Sequence, residues 1–235
     1  MSTSHEAVAF LQFEPQGSAP HKRERVGAAQ GQSLLDKRYA SLGAAPRAVL
    51  RRVAVFAGEF TLGAAGAVIA CSKLPRSEVS PGVATLQACS MLEVKGDGPF
   101  AHYSLTQQTR AFALGRLACD GELDWVARNH AQYLQCIFEY AEVELERGDP
   151  GRWLEHYAGL VEDVRAALDW AFSPSGDAAV GVGLTMAAIP LWLLLFQFDE
   201  LRCRLGRALK TEAVIRSGRE MRLRTAARLA GMTHL

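Results

Sequence analysis

The side chains best equipped for chemistry in this chain are three separated histidines and the acids crowding one segment. His102, His130 and His156 lie far apart, and none stands in an H-E-x-x-H pattern or beside a cysteine at ligand spacing, so no metal site is expected. His130 falls on an apolar stripe and reads as a core histidine with a hydrogen-bond partner. Glu139, Glu142, Glu144 and Glu146 carry the chemistry of paired carboxylates for acid/base work, but their spacing is that of a solvated helix face. The phosphate-binding pattern G-x-x-x-x-G-K-[ST] is missing; "VKGDGPF" supplies glycines and Lys95, yet its spacing is wrong and its flanks are extended, which makes it a turn. No G-x-S-x-G is present. The expectation is a chain with no catalytic activity and no cofactor of its own.

Charge and cysteine usage narrow the partners. A formal charge of +1 gives no general attraction to nucleic acid or to an acidic membrane. A local patch would have to do that work, and the one dense basic run is "HKRER", whose Lys22, Arg23 and Arg25 are the candidates for DNA phosphate contact. Cys71, Cys89, Cys119, Cys136 and Cys203 stand singly with no C-x-x-C pair, as reduced thiols do. The first twenty residues have no basic start followed by an apolar stretch, so no secretory signal is read and a cytoplasmic location is expected. One run, 178–198, is free of charge and long enough to cross a bilayer. Gly181, Gly183 and Pro190 inside it, with Asp177 and Asp199 at its ends, instead favour helices buried in a bundle core, with no membrane partner.

The elements that must position these residues are mostly helical. Residues 1–30 are rich in Ser, Gly, Gln, Pro and charge without a sustained period, and are expected to be a disordered tail. In "RAVLRRVAVFAG", Val49, Leu50, Val53 and Phe56 share a helical face with Arg51 and Arg52 opposite, and Gly58 is placed to end the helix. Thr61 is an N-cap for a second helix of small residues. Ser80 and Pro81 signal the start of a third, "GVATLQACS", which offers Gln87 and no cation to DNA. "MLEV" and "FAHYSL" around "KGDGP" predict a hairpin, so three helices are followed by a small wing.

Beyond the hairpin the pattern stays helical. One helix closes at Gly121; a longer one carries Val126, His130, Tyr133, Leu134, Ile137, Phe138, Ala141 and Leu145 on one stripe and stops at Gly148. Asp149 and Pro150 begin the next, in which Val161, Val164, Leu168, Ala171 and Phe172 face inward while Glu162, Asp163, Arg165 and Asp169 face out. Asp177 caps the apolar helix, and two more amphipathic helices follow. Helices of this length joined by short turns predict an antiparallel array of the kind helical repeats build.

Three phrases, in order, resemble one family. "RAVLRRVAVFAGEFTLGAA" is similar to "RLaVFaGgFtLeaA", "HYSLTQQTRAFALGRL" to "RYRLLETTRAYALEKL", and "LVEDVRAALDWAFS" to "ELDNVRAALDWAFS". These belong to the region after the nucleotide-binding core of bacterial STAND-type regulatory ATPases, which link a transcription-factor head to an ATPase switch and a tetratricopeptide-like sensor. The resemblance implies a mainly α protein: a winged-helix module with a small β-hairpin at 31–120, then a tetratricopeptide-like antiparallel helical array at 121–235. It implies a regulatory or sensor segment that binds a protein partner or small effector on the array and signals to an ATPase core in trans. ATP or ADP would belong to the full-length relatives, whose phosphate-binding loop has no counterpart here, as in a truncated or split product.

In related switches a histidine at the start of the wing helix touches the nucleotide; Leu105, Thr106 and Gln107 occupy that place here, leaving Thr106, Gln107 and Arg110 as the nearest cofactor-binding candidates. Self-association through an uncovered array face is a further expectation. The competing reading is a transcription factor that binds DNA directly through the winged helix, which its cation-poor third helix does not favour.

Overall fold

A computed structural model describes residues 33–98 and 101–211 of the chain. By its contacts the chain divides into two units, Met1–Ala40 and Ser41–Leu235. The described part of the first, residues 33–40, is helical and is designated α1. Everything that follows concerns the second unit, which is mainly helical with one small antiparallel sheet.

Its first part is built from α2 (Ala44–Val53), α3 (Leu62–Val68), α4 (Arg76–Ala88), β1 (Glu93–Lys95) and β2 (His102–Ser104). Thr61 caps α3 as its sequence position predicts, its Oγ1 accepting from Ala64 N–H at 3.1 Å. The first helix ends at Val53, before Gly58, so that glycine is not its terminator. The helix expected to start at Ser80 and Pro81 instead begins at Arg76 and carries Pro81 inside it. Pro81 is the sixth residue of α4, so the carbonyl it leaves unpaired lies near the helix start, where Pro is tolerated best. α2 and α4 approach closely because Gly82 leaves room for Val49; a Cβ on Gly82 would lie 2.6 Å from Val49 Cγ2. The hairpin pairs Glu93 with Ser104, Val94 with Tyr103 and Lys95 with His102. Tyr103 exchanges both backbone hydrogen bonds with Phe60 on its other side, each at 2.8 Å, and so ties the segment after α2 to the hairpin.

Among the described residues seven α-helices follow: α5 (Gln107–Cys119), α6 (Leu123–Arg147), α7 (Pro150–Tyr157), α8 (Val161–Ala171), α9 (Ala178–Ala187), α10 (Ile189–Leu194) and α11 (Phe198–Leu209). Where one continuous helix was expected from Pro150 to Phe172, a 3₁₀ turn at Ala158–Leu160 separates α7 from α8. α6 closes at Gly148 and Asp149 caps α7, both as predicted. Asp177 caps α9 by accepting from Ala179 and Val180 N–H. The middle of the uncharged run is core: every residue of α9 from Val180 to Ala187 is buried, and the helix packs against α6 and α8, whereas Phe196 and Phe198 at the end of the run are exposed. Pro190 then opens a separate short helix. Among the described residues no helix is long and apolar enough to cross a membrane. The last predicted amphipathic helix lies outside the described residues.

Two arginine clusters lock these helices together. Arg52, expected on the outer face of its helix, is 2% exposed. Its Nη2 meets Glu122 Oε1 at 2.5 Å, its Nη1 donates to the Ile69 carbonyl at 3.1 Å, and its guanidinium lies over the Trp125 ring. Burial works to raise the Glu122 carboxyl, but hydrogen bonds and charge from Arg52 and Arg51 outweigh it and hold it below the usual carboxylate range. Arg165 of α8 grips Glu200 of α11 with both Nε and Nη2, joining the two helices.

Candidate functional site: a buried carboxylate beneath an aromatic cleft

The site begins with a correction. Asp163, expected to face solvent from α8, is 1% exposed. It adjoins Val164 and stands one turn before Ala167, so it lies at the edge of the buried stripe of α8. A buried carboxylate needs donors, and two come from the backbone after α2: Ala57 N–H donates to Oδ1 at 2.8 Å and Gly58 N–H to Oδ2 at 3.2 Å. Gly58 permits this approach, since a Cβ there would stand 3.1 Å from Oδ2.

His130 of α6 completes the floor. It is 1% exposed, as its place on the stripe predicts, with Nε2 at 3.1 Å from Asp163 Oδ1. That contact lies off the hydrogen-bond direction, and Nε2 has no other partner. The Phe56 ring meets the imidazole edge to face at 4.9 Å. Arg110 of α5 approaches the same segment from the other side, its Nε donating to the Phe56 carbonyl at 2.8 Å. Burial lowers the Arg110 pKa, against the opposing pull of the Asp163 charge. Residues 56–58 are thus held by α5, α6 and α8 together.

Above this floor lies a cleft of about 300 Å³. The segment after α2 contributes Glu59, Phe60 and Thr61; α6 contributes Tyr133, Ile137 and Tyr140; α7 contributes His156 and Tyr157; and β2 contributes His102. Tyr157 donates its hydroxyl to Glu144 at 2.6 Å, and burial, with this carboxylate, pushes its pKa upward. Burial raises that of Tyr133 as well. Glu59 pairs with Lys95 on the exposed side and has His102 Nδ1 at 3.9 Å. Among the described residues the cleft lining contains no serine or cysteine to act as a nucleophile. Among the described residues no group of three His, Cys, Asp or Glu could hold a metal ion. What this arrangement can do is bind a compact molecule against aromatic surface.

The residues singled out in the sequence fall in several places. Arg110 stands behind the cleft wall, on the Phe56 carbonyl. Thr106 caps α5, its Oγ1 accepting from Thr109 N–H and donating to Thr109 Oγ1, and Gln107 is exposed beside it. Lys22, Arg23 and Arg25 lie outside the described residues. α4 exposes Ser77, Glu78, Ser80, Thr85 and Gln87, and its earlier start adds one cation, Arg76, which leans over Gly66. Of the helix-face acids, Glu139 accepts from Gln135 and Glu144 from Tyr157. Sequence reasoning missed Asp163, Glu59, Tyr140 and Tyr157; Asp163 borders the apolar stripe at Val164 and Ala167, and its charge assigned it to solvent.

Compared with protein-family models, with curated proteins and with solved structures, the chain matches none.

Proposed function

We propose that this chain is a non-catalytic regulatory segment that takes up a partner or small effector and passes the event to an ATPase switch supplied in trans. In this reading α2–α5 with the hairpin act as a winged-helix module, and α6–α11 act as a tetratricopeptide-like array, as in the STAND-type regulators that the sequence resembles. The observation that carries it is the Asp163 seam, where one carboxylate of the later helices is the acceptor for two backbone N–H groups of the earlier part. Such a junction has two defined states, bonded or parted, and a cleft directly above it whose occupant would bias the choice. A DNA-reading role gains little from α4, whose exposed face offers one arginine.

The test is calorimetric titration of ATP and ADP into the chain alone, and into an isolated ATPase core of a STAND-type regulator with and without the chain. The chain alone should bind neither nucleotide, and it should shift the core's ADP affinity by about fivefold or more, the lower end of ordinary allosteric coupling. Asp163→Asn should abolish that shift. Nucleotide binding by the chain alone, or an unshifted core, would end this reading.

A further inference from the structure

We propose that the cleft above Asp163 is a binding site for a small organic cation, an amine or quaternary ammonium on a compact apolar body. As the identity of an effector this rests on the sensing role above; as a binding site it stands on the cleft alone. Among the described residues, the formally charged ones that line the cleft are Glu59 and Asp163, both acids, and no lysine or arginine lines it. The two nearby cations are committed elsewhere: Lys95 to the outer side of Glu59, and Arg110 to the Phe56 carbonyl behind the wall. Tyr133 and Tyr140, about two helical turns apart on α6, both line the cleft, Tyr133 half-buried and Tyr140 exposed. A cation over such faces is attracted by the ring quadrupole, and desolvation in a cleft strengthens the effect. The volume of about 300 Å³ suits a small molecule and lies at the lower end for ligand pockets.

An anion has the opposite prospects. Among the described residues it would sit against Asp163 and Glu59 with no lining lysine or arginine, and with His102 and His156 as the remaining titratable donors besides tyrosine hydroxyls. Lys95, paired with Glu59, is the direct internal competitor, and His102 Nδ1 stands farther off at 3.9 Å. Lys95 is 72% exposed in its side chain, so a ligand cation arriving from the cleft side meets a weakly held carboxylate.

The experiment titrates benzyltrimethylammonium, and separately phenylacetate as the anion of similar body, into the full chain by calorimetry. The cation should bind saturably and at least about tenfold more tightly than phenylacetate, as expected where a carboxylate and aromatic faces act together. Glu59→Gln should weaken it about fivefold and Tyr140→Leu about threefold, while Lys95→Gln should tighten it about twofold by freeing Glu59. All three side chains are at least partly exposed, and unchanged melting temperatures will show that the variants fold. Absence of saturable cation binding, equal or tighter binding of phenylacetate, or a weakening by Lys95→Gln would overturn the proposal. Adding benzyltrimethylammonium to the mixture of chain and ATPase core separates the two claims. Cation binding without any change in the core's ADP affinity retains the site and removes its signalling role; no binding removes the site and leaves the core titration to judge the regulatory reading.

Discussion

Gly58 donates its backbone N–H to the carboxylate of Asp163 across 105 residues of chain, and has no side chain to keep the two apart. Removing the carboxylate leaves a cavity in place of a buried side chain and takes the acceptor from two part-buried N–H groups, those of Ala57 and Gly58. Asp163→Ala should therefore cost about 3–5 kcal/mol, and Asp163→Asn, which retains one good acceptor, about 1–3 kcal/mol. Gly58→Ala should cost about 1–2 kcal/mol, because the carboxylate it would crowd is held on both oxygens and cannot withdraw. Urea denaturation of the three variants orders them; a neutral Asp163→Ala would show that the seam contributes nothing.

The Glu122 carboxyl titrates below its ordinary range in the folded chain because of Arg52 and Arg51, in spite of burial. Its stabilisation is therefore complete above the unfolded carboxylate value and is lost as the pH falls through the lower, folded one. Wild type should lose stability between about pH 5 and pH 3 more steeply than Glu122→Gln, which lacks that proton uptake. At pH 7 Glu122→Gln should be about 2 kcal/mol less stable, since the Arg52 guanidinium stays buried with a weaker partner. Parallel pH profiles for the two proteins would count against the assignment.

Gly82 and Val49 form a coupled pair. Gly82→Ala should destabilise by about 1–3 kcal/mol through overpacking at the α2 to α4 crossing. Adding Val49→Ala should return part of the loss, with a coupling of about 1 kcal/mol in the double-mutant cycle. Strict additivity would mean that the helices shift apart instead.

Three helices end in the same hydrogen-bond pattern, with different residues in the left-handed position. After α5 it is Gly121 (φ 68°), after α4 Ser90 (φ 52°) and after α10 Phe196 (φ 56°). In the last, Gln197 N–H bonds the Trp192 carbonyl and Phe196 N–H the Leu193 carbonyl, which is the Schellman arrangement. Phe196 is 79% exposed, so little packing offsets its unfavourable backbone. Phe196→Gly and Ser90→Gly should each stabilise by about 0.5–1 kcal/mol. Thermal unfolding reads this directly, and a lowered melting temperature for Phe196→Gly would reveal packing by that ring.

Much of this protein was legible in its sequence because the signals are local. The caps at Thr61, Asp149 and Asp177, the stops at Gly121 and Gly148, the hairpin around residues 95–98 and the buried stripe through His130 each depend on a few neighbouring residues. The length of the uncharged run alone could not separate a bilayer from a protein core; the fold did, by dividing it into α9 and α10, neither long and apolar enough to cross a membrane. Tertiary structure decided the rest. Arg52 and Asp163 were both assigned to solvent by their charge at the edge of an apolar stripe, and both are buried because partners distant in sequence, Glu122 and the Ala57–Gly58 backbone, satisfy them. On α8 Asp163 adjoins Val164 and precedes Ala167 by one turn, so the buried stripe reaches it. Charge places a residue outside only while water is its best partner, and in this chain folding supplies a better one at two positions.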